Sequence, residues 1–207
     1  MKIAKPKISK FIVNKMLDSN MAKSDFVDLE VIKQEIDFEI DNIEFNGCKF
    51  CEVDFSKISL KKVNLIDCIF EKCNLAGCDF SNRGVHRVIF DRCNMVGCTF
   101  IGSSLSDVSI IETKCNYINF SDSKIKHFEI KDSTIREGRF VSVVFENVDF
   151  ENVDFLKSEF LNTRLGNIDF SSCNISNIGV SATDLKGIVV NEEQALMLIA
   201  LFGIVVK

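Results

Sequence analysis

Nine cysteines and two histidines are the residues of this 207-residue chain best suited to bind a metal, cycle between redox states or attack an electrophile. Cys48 and Cys51 form a C-x-x-C, but no second pair follows at zinc-finger spacing. His86 and His127 lie far apart, and neither has a nucleophile or carboxylate at a sequence spacing that suggests a general base. Gly77, Gly84 and Gly97 are too scattered for a phosphate-binding loop and suit tight corners instead. The apolar run from Ala195 to Phe202 falls far short of the ~20 residues that cross a bilayer. Metal, cofactor and catalytic chemistry are therefore not expected, and neither is a membrane span.

What the cysteines share is a position. Cys48, Cys68, Cys73, Cys78, Cys93, Cys98 and Cys173 each stand two residues before a larger apolar residue, and those larger residues recur every five. The series runs from Ile40 through Phe45, Phe50, Phe55, Leu60, Leu65 and Phe70 to Phe170, Ile175, Val180, Leu185 and Val190. It takes in most of the 19 Phe, and Cys115 occupies a central place in it. A helix returns to one face every three or four residues and a strand every two, so strict fives fit neither. The place two before is mostly small or β-branched, with Arg83 and Phe128 the chief exceptions. Free cysteine is a small, readily buried hydrophobe, which accounts for its use there. Cys48 then points in and Cys51 out. Two inward positions in five, with polar residues such as Asp54, Asn74, Asp79 and Asn94 between them, describe a chain that turns a corner about every five residues. Four such sides close a square. No secretory leader opens the chain, so reduced thiols and a cytoplasmic setting are expected.

The units Cys68-Ile69-Phe70-Glu71-Lys72, Cys73-Asn74-Leu75-Ala76-Gly77 and Cys78-Asp79-Phe80-Ser81-Asn82 resemble the pentapeptide-repeat family. The resemblance implies an all-β solenoid, a right-handed quadrilateral β-helix, over residues 37–190. Coils of about twenty residues stacked at about 4.8 Å give a rod on the order of 35 to 40 Å long. Residues twenty apart then form ladders, such as Phe50, Phe70 and Phe90, or Phe80, Phe100, Phe120, Phe140 and Phe160. Residues 1–36 read as an irregular N-terminal cap or first coil, in which Phe11, Met16, Met21, Phe26, Val31 and Ile36 repeat one residue out of phase. A short amphipathic helix over Ser9 to Leu17 is the rival reading. At the other end Asn191 is a good N-cap, Glu192 and Glu193 suit a first turn, and Gln194 completes a capping box. Gly203 supplies the stop, so residues 191–207 are expected to form a C-terminal capping α-helix and tail. That helix has no polar face. One side should cover the last coil and the other should meet a second copy, through Leu196, Leu198, Ile199 and Phe202, with a monomeric cap as the alternative.

Lys plus Arg total 25 and Asp plus Glu 30, a net charge of -5, and the pattern matters more than the sum. The side centred on Phe50, Phe70, Phe90, Ile110, Ile130, Phe150 and Phe170 carries Glu52, Glu71, Asp91, Glu112, Glu129, Asp132, Asp149, Glu151 and Asp169, with Glu192 beyond them. Against these stand only Lys49, Lys72, Arg92 and Lys131. Two rods joined at the helix end would approach ~80 Å, the scale of about 23 base pairs. The ending from Leu185 to Ala195 and the apolar helix after it are similar to the Qnr group of pentapeptide-repeat proteins, most of all to chromosomally encoded forms of Gram-positive bacteria. That similarity implies a DNA-mimicking homodimer that binds DNA gyrase and/or topoisomerase IV and protects them from quinolones, with no bond made or broken. The loops that project from plasmid-borne members have no counterpart in the unbroken series, so coil faces or ends would have to do the work. A scaffold rod with an unrelated protein partner is the competing expectation. Direct DNA binding is opposed by the acidic side. The local exception is the side with Arg83, Arg87, Lys124, Lys126, Arg164 and Lys186.

Overall fold

The computed structural model describes residues 2–21, 24–58, 60, 62–201 and 203–205. Among these residues ten strands form one parallel sheet: β1 (Val13–Asn14), β2 (Phe26–Val27), β3 (Leu29–Ile32), β4 (Glu44–Asn46), β5 (Lys49–Cys51), β6 (Asn64–Glu71), β7 (Gly84–Asp91), β8 (Ser104–Ile111), β9 (Lys124–Lys131) and β10 (Val144–Glu151). Register is twenty residues per level from Glu44 upward, as in Leu65 opposite Val85 and Val85 opposite Leu105. Single bridges such as Asn74 to Asn94 and Asp79 to Thr99 keep the same count on the other two sides. The chain is thus a four-sided β-solenoid whose main-chain amides pair from coil to coil.

Geometry follows from the five-residue unit. The central residue and the residue two before it point inward, and the residue two after it turns left-handed, as at Asp67 (φ 53°), Lys72 (54°), Gly77 (75°) and Asn82 (58°). Left-handed backbone disfavours side chains other than Gly, Asn and Asp, and those types fill most such corners. Gly77 and Gly97 sit at corners as expected; Gly84 does not, and instead opens β7. Inward cysteines are buried, Cys48, Cys68, Cys78, Cys98 and Cys115 completely, and so is Phe128 in its small slot. The expected ladders form with nearly parallel rings: Phe50, Phe70 and Phe90 at 4.8 and 5.2 Å, and Phe80 to Phe160 at 4.8 to 5.3 Å.

The lowest coil is one residue short. Phe26 faces Phe45, Val31 faces Phe50 and Glu35 faces Asp54, each nineteen apart. Phe26, Val31 and Ile36 are buried accordingly, whereas Phe11 and Met16 are 88% and 69% exposed and do not join the series. Ser9–Leu17 carries no helix; it contains β1, because its amides pair with the coil above, Val13 N–H to Asp28 O and Lys15 N–H to Glu30 O. Leu17 plugs the base, held on both sides by the amide of Gln34 at 2.8 and 2.6 Å. Before β1 the chain runs up the outside of the rod, where Lys7 N–H donates to Asp67 and Ala4 N–H to Asp107.

The upper end is closed by α1 (Glu192–Leu201). Gln194 N–H donates to Asn191 Oδ1 at 3.0 Å and Asn191 N–H to Gln194 Oε1 at 2.9 Å, a reciprocal capping box. The Gln194 amide nitrogen also donates to the carbonyls of Phe170 and Cys173, the first of which accepts Cys173 N–H as well. Gln194→Ala is therefore expected to cost about 2 kcal/mol, from one cap and the stranded carbonyl of Cys173. Gln194→Glu cannot donate and should fall as far; urea midpoints of the two variants check this.

One level departs from the stack. Its four central residues are Phe145, Phe150, Phe155 and Phe160, meeting edge to face at 66° to 78°. Four large rings overfill one square, and Phe145 and Val148 are left half-buried where Leu65, Val85, Leu105 and Ile125 below are covered. Above β10 no strand forms among the described residues.

Candidate functional site

The acidic residues do share one side. Strand register places Glu71 beside Asp91, Glu129 beside Asp149 and Lys131 beside Glu151, and every named acid projects outward or at a corner. Their charge is not uniform along the rod. Arg92 bridges Glu71 at 2.8 Å and Asp91 at 2.7 Å, Lys49 is held by Glu30, and Lys33 reaches Glu52, so the lower half is largely compensated. Higher up, Glu129, Asp132, Asp149, Glu151 and Asp169 share that side with Lys131 as its one base, which lies 3.5 Å from Glu129 and 3.3 Å from Glu151. The Glu151 bond, with Glu129 close by, raises the pKa of Lys131 and keeps it charged. Glu112 lies between the two halves. Surplus negative charge is thus concentrated in the coils nearest α1, a ranking that a list of acids does not contain.

On α1, Leu198 is buried against the last coil and Ile199 is half-buried, while Leu196 and Leu201 are 51% and 49% exposed. Leu198 thus serves the cap. Phe202 lies outside the described residues. The exposed apolar face is Leu196, Leu201, Ile204 and Val205.

The cysteines are poorly placed for chemistry. Burial raises the thiol pKa of Cys78 to about 12 and pushes Cys68, Cys98 and Cys115 up as well. Cys51, the outward member of the C-x-x-C, is also raised by burial and by Glu71. Among the described residues no three His, Cys, Asp or Glu converge as metal ligands, and no helix is long and apolar enough to cross a membrane.

Stacking does bring the histidines partners that sequence spacing hid. Ser106 Oγ meets His86 Nδ1, and Asp107 Oδ1 lies 3.5 Å from His127 Nδ1. A serine against an imidazole suggests nucleophile activation, but Arg87 Nη1 contacts the other ring nitrogen of His86. A guanidinium can only donate, so His86 Nε2 accepts, Nδ1 carries the proton, and Ser106 receives a hydrogen bond rather than losing one. Arg87 also grips Asp67 with two 2.6 Å bonds. Burial alone would raise the Asp67 pKa; the Arg87 and Lys7 bonds outweigh it and hold the carboxyl below its ordinary 3.8. A depressed carboxyl stabilises the fold above its unfolded pKa and loses that contribution as pH falls through the folded value. Asp67→Asn should cost on the order of 2 kcal/mol at neutral pH. The gap to wild type should narrow as pH falls below the ordinary carboxylate range and through the depressed folded value, as read from urea midpoints.

Pairing also thins the basic side: Arg87 is taken by Asp67 and Lys126 by Glu146, and Arg83 Nε is buried without a hydrogen-bond partner. Among the described residues Lys124, Arg164 and Lys186 have no acid partner.

Comparison with known proteins agrees with this geometry. A model of the pentapeptide repeat region matches residues 63–140, and one of eight pentapeptide repeats matches 43–82 and 139–177. Among solved structures, the chain is similar to QnrB1, a plasmid-mediated fluoroquinolone resistance protein, at 16% identity and TM-score 0.29, over 87% of this chain and 100% of that one. It is also similar to HetL, a pentapeptide repeat protein involved in heterocyst differentiation regulation from the cyanobacterium Nostoc sp. strain PCC 7120, at 11% identity and TM-score 0.41, over 82% and 91%. No curated protein matches the sequence. Matched repeats that together run from residue 43 to residue 177, on a solenoid with a left-handed corner at nearly every fifth residue and twenty residues per level, make this chain a member of the pentapeptide-repeat proteins.

Proposed function

We propose that this protein is a non-enzymatic DNA mimic of the bacterial cytoplasm that binds DNA gyrase and/or topoisomerase IV and protects them from quinolones. The observation that carries the reading is the acidic column of Glu129, Asp132, Asp149, Glu151 and Asp169, held on one side of a rigid rod by constant register. A duplex-sized rod with that charge suits a basic DNA-binding saddle, where it would compete with cleaved DNA and release the drug-trapped complex. The likeness of the Leu185 to Ala195 ending to the Qnr group supports the same partner.

In this reading two copies join through the exposed face of α1, which sets their acid-dense halves side by side at the centre of the dimer. Leu196→Asp with Leu201→Asp is expected to sediment as a folded monomer where wild type sediments as a dimer. Wild-type monomer at tens of micromolar would remove the dimer from the proposal.

The deciding experiment titrates the pure protein into gyrase supercoiling and quinolone-stabilised cleavage assays. Restored supercoiling and reduced cleavage are expected at micromolar protein. No change in either would leave the alternative of a scaffold rod for an unrelated protein, which the unbroken coils favour.

A further inference from the structure

β10 is hydrogen-bonded on one edge only. Its partner is β9, and the sheet order ends with it. The chain continues for another coil, yet among the described residues the one hydrogen bond between Val143–Asn147 and Thr163–Asn167 is at the start of the edge, where Val143 N–H donates to Thr163 Oγ1 at 2.9 Å, and no main-chain carbonyl of one segment meets a main-chain N–H of the other. That upper segment bonds upward instead, Leu165 N–H to Asp184 O and Asn167 N–H to Gly187 O, and Lys186 O crowds so close to Gly166 that a Cβ there would lie 2.7 Å from it. On the opposite sides the same two coils stay paired, through Phe155 N–H to Asn174 O at 2.8 Å, Lys157 N–H to Ser176 O at 3.0 Å and Phe160 N–H to Gly179 O at 2.7 Å. The two levels are therefore joined along one half and parted along the other.

The parting holds a cleft of about 370 Å³ floored by Phe145, Val148 and Ile168, which opens toward Thr183, Asp184 and Lys186. Such a volume lies within the range of small-ligand sites, about 300 to 1,000 Å³. Arg164 lines both parts, and Asp184 is the one acid on the rim. Three features coincide: an uncovered aromatic floor, a free strand edge that offers both N–H and C=O groups, and the unpaired cations Arg164 and Lys186.

We propose that this cleft binds a short extended peptide bearing acidic side chains, which adds as a strand to the free edge of β10. A strand edge needs a partner that both donates and accepts at the spacing of a peptide backbone. Phosphates would satisfy the N–H groups and leave the carbonyls unmet. Arg164 and Lys186 select acidic side chains on the outward positions, and Phe145 and Val148 take an apolar side chain on the inward one. The site spans the corner between the side of Phe145 and the side of Phe150, where Val148 and Ile168 adjoin Asp149 and Asp169, and it does not depend on topoisomerase binding.

The test uses the full chain and a fluorescein-labelled, end-capped hexapeptide of alternating Glu and Val, followed by anisotropy and by amide NMR shifts. Saturable binding is expected, with the largest shifts at Phe145 and Asn147. Methylating alternate peptide amide nitrogens, replacing Glu by Lys in the peptide, and Arg164→Glu in the protein should each weaken binding about tenfold or more. Glu112→Lys, about two coils below the cleft, should leave it unchanged, and circular dichroism of each variant separates lost binding from lost fold. The proposal is overturned if no binding appears by about 1 mM peptide, if the methylated peptide binds equally well, or if a single-stranded hexanucleotide binds as tightly as the acidic peptide.

Discussion

Phe100→Ala is expected to destabilise the protein by about 3 to 5 kcal/mol, enough to threaten the folded state of a solenoid whose coils depend on their neighbours. Phe100 is completely buried and stacked at 5.1 Å on Phe80 and 5.0 Å on Phe120. Collapse around the hole would require the coils to approach each other, and main-chain bonds such as Phe80 N–H to Thr99 O and Phe100 N–H to Asn119 O fix their spacing. The cavity therefore stays open, and its full cost is paid. Tyr117→Ala removes an aromatic ring that is 58% exposed and should change stability by less than about 0.5 kcal/mol. Urea unfolding followed by far-ultraviolet circular dichroism compares the two. A loss below about 1 kcal/mol for Phe100→Ala would mean that the ladder relaxes.

The second large effect is on function. Reversing Glu129, Asp132, Asp149 and Glu151 to Lys is expected to raise the protein needed for half-maximal gyrase protection by about a hundredfold or more. Those side chains share their side with one lysine, Lys131, and are the least compensated part of the acidic side. Reversing Glu71 and Asp91, already engaged by Arg92, should matter several-fold less. Protection by the wild type should also weaken steeply with salt, since both bodies are highly charged at the contact. Equal losses from the two sets would mean that the stripe acts as a whole, and no loss from either would dissociate charge from protection. None of the four belongs to the buried ladders, but the variant loses the Ser109–Glu129 and Asn152–Asp132 bonds and puts Lys at the left-handed corner 132, so circular dichroism of the quadruple variant must first show a folded rod.

The four-sided stack could be read from residue types because its rule is local: one large and one small apolar residue in every five, from Ile40 onward. The capping box at Asn191 and Gln194 was legible for the same reason. Features that depend on how coils meet were not. The four-residue step between Ile36 and Ile40 leaves the lowest coil one residue short, while Phe11 and Met16 continue the spacing of the series yet sit in the solvent. Contacts of an arm that climbs the wall, Ala4 to Asp107 for instance, span 103 positions without any periodic mark. Twenty-residue offsets do place Ser106 over His86 and Arg87 over Asp67, so counting along columns would have found those pairs. Phe145 is apolar and in phase, and only the company of three more phenylalanines on its level turns a covered ring into the floor of a cleft. Leu198 and Leu196 look alike in an apolar run, and rotation of the helix on the last coil decides which one faces inward.

Constant register makes the rod editable in discrete steps. Excising one circuit, residues 103–122 for example, would shorten the molecule by a single storey and leave every column in line. Losing five residues instead would swing everything above the cut through a quarter turn, and the negative stripe would continue on a neighbouring wall. Lineages that gain or lose whole circuits can therefore change reach without redrawing the charged surface, whereas smaller changes must be confined to the ends, as in the nineteen-residue circuit at the base.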